Sequence, residues 1–240
     1  QRVLFTENHD EVANGRSRVP ETIWPGNAGS YYSRKRSTLG GALVMTSPGV
    51  PMIFQGQEFL EDGYFRDSDA LDWSKKDTYR GIFNLHRDLI TLRRNLNGNS
   101  RGLTGSNINF FHVNNIDKLI GFHRFQDGGP GDDVVVVMNF RDQPWNNYRI
   151  GFPRSGEWKV IFNSDSTIYG DDYSNQPGYD INTDPIPYDG LGQSAEIGVG
   201  PYSCVIFSQV GNPPPPPPQD EDLDGDGVVG LLDVLIVLSN

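Results

Sequence analysis

Two rhythms of apolar and polar positions divide the chain. Over residues 1–98, short β-prone runs alternate with helix-like segments. Residues 2–6 (RVLFT) give a brief strand signal that ends in the polar cluster Glu7-Asn8-His9-Asp10-Glu11. Residues 30–46 read as a helix that Pro48-Gly49 stops. Residues 50–54 (VPMIF) form a short buried-strand run ending at Gln55-Gly56-Gln57-Glu58, and a loop rich in Asp, Gly and aromatic residues follows to Ser74. The clearest helix covers 78–96. There Ile82, Leu85, Leu89, Leu92 and Leu96 recur at spacings of three and four before Asn97-Gly98 ends the run. Strand, helix, strand, helix in that order predicts parallel β/α units.

The rhythm shortens over residues 99–211. β-prone runs fall at 109–113, 119–125, 134–140, 148–152, 157–163, 195–199 and 204–209, separated by turn residues such as Asn114-Asn115 and Ser155-Gly156. Short strands at close spacing predict an antiparallel all-β sandwich or barrel. Residues 164–192, rich in Asp, Tyr, Pro and Gly, read as a long surface excursion. Residues 212–219 are a linker with six consecutive prolines, a stiff polyproline spacer. Residues 220–240 form a last, acidic unit.

Composition narrows the function classes. The net charge is −11 over 240 residues, and no basic patch suits a nucleic-acid backbone. The single cysteine, Cys204, excludes an internal disulfide and a thiolate zinc site; it falls in a predicted strand and reads as a buried small residue. Six of the eleven net negative charges lie in residues 220–240. There Asp222, Asp224, Asp226 and Asp233 occupy positions 1, 3, 5 and 12 of a loop with Gly227 at position 6. That spacing wraps oxygens around a hard cation, so Ca²⁺ is expected on these carboxylates and on the backbone carbonyl of Val228. An acidic tail without a bound ion is the plainer alternative.

The cluster after the first strand carries the other candidate chemistry. His9 can donate a hydrogen bond to a sugar hydroxyl, and a fixed Asp10 carboxylate can stabilise an oxocarbenium-like transition state. A helix N-cap in a turn explains the same residues without chemistry. Asp10 and Glu11 as metal ligands would lack a second histidine cluster. His86, His112 and His123 are isolated in the sequence and read as packing or surface residues.

The wider pattern resembles the α-amylase superfamily of glycoside hydrolases. Residues 3–10 (VLFTENHD) are similar to the motif at the end of barrel strand seven, and residues 49–59 (GVPMIFQGQEF) to the segment around strand eight. Leu71-Asp72-Trp73 resembles the Leu-Asp-Trp of 1,4-α-glucan branching enzymes, whereas Glu7-Asn8-His9-Asp10 is the α-amylase form of its motif. Pro201-Tyr202-Ser203 and the strand after it resemble the end of the β domain that closes these enzymes. The tail resembles one repeat of a dockerin module.

These resemblances imply a C-terminal fragment of a (β/α)8 barrel over 1–98, an all-β domain over 99–211, a Pro-rich linker and a partial dockerin-like calcium module over 220–240. Asp10 would be the transition-state-stabilising carboxylate and His9 a substrate ligand. Trp24, Tyr64 and Trp73 could stack on glucose rings or merely pack. The substrate would be an α-glucan such as starch or glycogen, and the docking partner a cohesin-type scaffold at an extracellular or cell-surface location. In this family the nucleophile and acid/base sit on barrel strands four and five. Neither is expected in these residues, so the chain alone is expected to be catalytically silent. A non-catalytic carbohydrate-binding and tethering module is the alternative from a different class.

Overall fold

The computed structural model describes residues 2–210. Strand β1 (Val3–Leu4) pairs in parallel with β2 (Val50–Pro51), with Val3 opposite Val50 and Leu4 opposite Pro51. The crossover between them carries helices α1 (His9–Ala13), α2 (Val19–Ile23) and α3 (Tyr31–Thr46). Helices α4 (Lys75–Thr78) and α5 (Arg80–Arg93) follow β2. Strand β2 is shorter than the apolar run that predicts it. Beyond Pro51 the segment meets no further strand among the described residues.

Helix α3 starts where the Ser30 hydroxyl accepts from the Ser33 N–H at 3.2 Å. It stops at Ser47, which is extended ahead of Pro48. Two arginines collect the carbonyls released there. Arg93 from α5 donates to Ser47 O at 2.7 Å and Gly49 O at 2.5 Å, and the buried Arg124 donates to Thr46 O. Positive charge at a helix C-terminus complements its macrodipole. Helix α5 ends earlier than its periodicity suggests because Asn95 takes a left-handed conformation (φ 53°). Leu96 therefore leaves the apolar stripe and stands exposed.

The remaining described residues form eight strands: β3 (Asn107–Asn114), β4 (Leu119–Phe125), β5 (Val134–Asn139), β6 (Trp145–Phe152), β7 (Glu157–Asn163), β8 (Ile181–Asn182), β9 (Gln193–Val199) and β10 (Ser203–Gln209). Six of them make an antiparallel sheet in the order β3-β4-β5-β10-β7-β8, and β6 pairs with β9 in a second sheet. Alternate residues of the large sheet face opposite ways. Val134, Val136 and Met138 join Cys204 and Ile206 on the face that packs against Leu39, Leu85, Leu89 and Leu92 of α3 and α5. Val135, Val137, Val205 and Phe207 face Ile150, Phe152, Ile197 and Val199 of the small sheet. The run of four valines in β5 is thus apolar throughout because both of its faces are covered.

The large sheet is therefore the middle of three layers, and its helical face shares one core with residues 39–92. Residues 164–192 are not a mere surface excursion. Tyr169 and Tyr173 are buried in that shared core. Asp165 is fully buried and accepts from Lys35 Nζ of α3 at 2.5 Å, from Ser174 Oγ at 2.6 Å and from the Gln176 N–H at 2.8 Å. Tyr residues with Asp and Gly look like a loop in sequence; here a buried lysine and the helix faces draw them in. The linker and the proposed calcium loop lie outside the described residues.

Candidate functional site

The motif after β1 divides into one buried and two exposed members. Glu7 is buried and its carboxylate accepts from Arg18 Nη1 at 3.0 Å and from the Val19 N–H at 2.7 Å. Burial pushes the Glu7 carboxyl above its ordinary range, against the opposing pull of the Val19 N–H and of Arg18. Arg18 is itself fully enclosed. It donates to Gln55 O at 3.0 Å and Gly63 O at 3.3 Å, and its guanidinium lies 4.4 Å from the centre of the Phe54 ring. One side chain thus ties the loops after β1 and β2 to the start of α2. Gln57 adds a second tie, donating to Thr6 Oγ1 at 2.6 Å and accepting from the Phe54 N–H at 3.2 Å.

On this base, Asn8 caps α1 by accepting the Glu11 N–H at 2.9 Å. His9 and Asp10 occupy the first turn of α1 and lie 3.2 Å apart, Nε2 to Oδ1, with side chains 66% and 74% exposed. The cap reading and the chemical reading of the cluster thus coexist: Asn8 serves as the cap, while His9 and Asp10 point a donor and a carboxylate at solvent.

The loop after β2 is organised by a second buried carboxylate. Glu61 accepts from Lys75 Nζ at 2.7 Å, from the Gly63 N–H at 2.8 Å and from the Asp72 N–H at 3.1 Å. Burial alone would raise its pKa, but Lys75 and the two N–H groups hold it below the ordinary value. This loop carries Tyr64, whose hydroxyl donates to Ala13 O at the end of α1. Tyr64 therefore joins the His9 and Asp10 helix. Trp73 packs on Phe59 at 5.2 Å and remains 62% exposed. Trp24 is not in this group; it closes α2 and contacts Tyr32.

Arg18 and Glu61 are the residues that sequence reasoning missed. No periodicity marks Arg18, and its pairing across eleven positions to Glu7 appears only once the chain has folded. The three other histidines have packing partners. His86 is buried with Nδ1 3.0 Å from Ile82 O, His112 lies 3.0 Å from Asp189, and His123 lies 2.8 Å from Asp133. Cys204 is buried, and burial pushes its thiol well above the ordinary value. Among the described residues no group of three or more His, Cys, Asp or Glu side chains is placed to hold a metal ion. No described helix is long and apolar enough to cross a membrane.

Comparison with known proteins agrees with this architecture. Residues 111–210 match the family described as alpha amylase, C-terminal all-beta domain. The chain is 31% identical over 213 residues to the 1,4-alpha-glucan branching enzyme GlgB of Rhodospirillum rubrum, covering 84% of this chain and 28% of that enzyme. It is 27% identical over 215 residues to GlgB of Oceanobacillus iheyensis, covering 86% of this chain and 32% of that enzyme. The chain thus spans about a third or less of the curated relatives it matches. Among solved structures, a pullulanase from Anoxybacillus sp. LM18-11, complexed with maltotetraose, aligns with a TM-score of 0.59 at 20% identity, over 86% of this chain and 27% of that one. An α-amylase from H. orenii aligns with a TM-score of 0.54 at 17% identity, over 86% of this chain and 39% of that one. Residues 111–210 are thus similar to the C-terminal all-beta domain of alpha amylases, the chain is similar in sequence to part of the branching enzymes, and it shares a fold with part of the pullulanase and α-amylase structures.

Proposed function

We propose that these residues are the C-terminal part of a retaining enzyme acting on α-1,4-glucans, with transfer of a glucan segment to make branches as its reaction. Hydrolysis of the same linkage is the second outcome, favoured by the α-amylase form of the Glu7-Asn8-His9-Asp10 motif. The observation that carries the reading is the exposed His9 and Asp10 pair, held by a buried Glu7 and Arg18 at the C-terminal end of a parallel strand. In parallel β/α folds that edge is where ligands bind. Identity with branching enzymes over 84% of the chain supports the choice of substrate.

In this reading Asp10 stabilises the positive charge that develops at the anomeric carbon, and His9 donates to a hydroxyl of the same sugar. Glu7 and Arg18 position them without touching substrate. The nucleophile and the acid/base carboxyl come from parts of the barrel outside this chain. The first 98 residues are its last two β/α units. The test is to incubate the enzyme expressed from the complete coding sequence with amylose and follow anomeric proton signals. Branching predicts new α-1,6 signals at constant reducing-end count, and hydrolysis predicts rising reducing ends. The absence of both changes would refute the proposal.

The proposal includes the tail. Asp222, Asp224, Asp226, the Val228 carbonyl and Asp233 offer the hard oxygen donors that Ca²⁺ takes, and they would dock a secreted enzyme onto a cohesin-type scaffold. Calorimetry of Ca²⁺ uptake by the chain, with Asp222→Ala and Asp226→Ala as controls, tests the metal. Heat that is identical in the variants would remove it.

A further inference from the structure

A patch of aromatic rings stands at the junction between α3 and the β domain. Trp24 at the end of α2 is 44% exposed, and Tyr32 in the first turn of α3 is 39% exposed. Their ring centres lie 5.9 Å apart with planes tilted by 40°. Tyr202, in the turn between β9 and β10, meets Tyr32 edge-on at 6.2 Å. Three segments far apart in sequence thus supply neighbouring rings.

Tyr202 is held at φ 42°, the left-handed region where a bulky side chain is uncommon and costs energy. A turn needing only that geometry is better served by Gly or Asn. The turn is fixed in place, for the Tyr202 N–H donates to Arg141 O at 3.0 Å. Charge surrounds the rings. The Asp142 carboxylate raises the Tyr32 hydroxyl above its ordinary pKa, and the Arg36 guanidinium lies over the Tyr202 ring, 5.8 Å from its centre. One acid and one base in balance favour an uncharged ligand over a polyanion or polycation.

A pyranose offers C–H groups on its faces and hydroxyls around its edge. The exposed Trp24 and Tyr32 rings offer the apolar surface, and the neighbouring carboxylate and guanidinium offer partners for the hydroxyls. The tilt between neighbouring rings suits a chain that curves, as an α-1,4-glucan does, and not the flat ribbon of a β-1,4-glucan. We propose that Trp24, Tyr32 and Tyr202 form a binding surface for α-1,4-glucan chains, built jointly by the helical part and the β domain. The choice of sugar rests on the α-glucan reading above. The surface gives the β domain a share in holding the polysaccharide, beyond covering the helices.

Affinity electrophoresis of the 240-residue chain through gels containing glycogen, or a soluble cellulose derivative, tests the surface. Glycogen should retard the chain and the cellulose derivative should not. Trp24→Ala and Tyr202→Ala should each weaken the glycogen affinity by about three- to tenfold, the range of one aromatic contact. Tyr32→Phe should keep most of it, because the ring remains. Should Tyr202→Ala unfold, Trp24→Ala decides, since that side chain stands at the surface. Equal retardation of wild type and the alanine variants would overturn the surface and leave the α-glucan reading intact. Wild type that passes through glycogen unretarded would also overturn it. The α-glucan reading fails separately, on an inactive parent enzyme given amylose.

Discussion

Arg18 is a cation taken out of water to meet one carboxylate, two carbonyls and an aromatic ring. Such a pair contributes little net stability over an apolar pair, yet removing one member leaves a buried charge. Arg18→Met should therefore destabilise the fold by about 3–5 kcal/mol. Glu7→Gln combined with Arg18→Met should recover part of that loss. Urea unfolding of the three variants measures both effects, and a loss within experimental error for Arg18→Met would contradict the anchoring role. Glu61 gives a pH-dependent counterpart. Its folded pKa is lowered, so the ionised form contributes stability above the ordinary carboxylate value, and that stability is lost as pH falls through the lower folded value. Glu61→Gln should cost about 1–3 kcal/mol at neutral pH. The gap from wild type should close in acid, and melting curves across pH check it. A gap that widens in acid would give the sign as wrong.

Among the elements, α5 and the segment after β7 are clamped together by a missing side chain. A Cβ on Gly81 would lie 2.1 Å from the Tyr169 carbonyl oxygen, and Tyr169 in turn donates its hydroxyl to Asp88 at 2.8 Å. Helix propensity favours Gly81→Ala by about 1 kcal/mol, whereas forcing apart packed backbone costs about 1–3 kcal/mol. The contact wins, so Gly81→Ala should lower the melting temperature. A rise would show that the loop yields freely. Much at this scale was legible in sequence. β4 and β7 match their predicted runs, and Leu85, Leu89 and Leu92 of α5 bury the stripe that their spacing foretold. What the sequence withheld depends on partners distant along the chain. The order β5-β10-β7 joins strands far apart, and Tyr169 and Tyr173 are buried only because Lys35, Asp165 and α5 surround them. At the site, His9 and Asp10 were readable as a motif, whereas the enclosure of Glu7 by Arg18 was not.

Among the described residues, the larger core lies between parts that looked separable. Strands β1 and β2 lack the neighbours of a full barrel, and Val3, Phe5 and Val50 stand exposed as that leads one to expect; the same reasoning suggests that residues 99–211 fold better alone. Instead Leu39, Ala42, Met45, Leu85, Leu89 and Leu92 cover one face of the large sheet. Each large side chain buried there contributes about 1.5–3 kcal/mol. The chain should unfold in a single transition that includes residues 1–98. Residues 99–210 alone should expose an apolar face and either aggregate or melt far lower. Calorimetry of the two forms decides, and equal melting temperatures would contradict the shared core. Arg93 of α5, donating to Gly49 O, and Arg18, donating to Glu7 and Gln55 O, give β1, β2 and the His9 and Asp10 turn their base. The central claim is that this base presents Asp10 to the reacting sugar of an α-1,4-glucan. The most direct measurement is the turnover of amylose by the parent enzyme carrying Asp10→Asn. We predict a loss of at least about a hundredfold in turnover, the scale of removing one transition-state-stabilising group, with the melting temperature unchanged. Turnover at the wild-type rate would contradict the account.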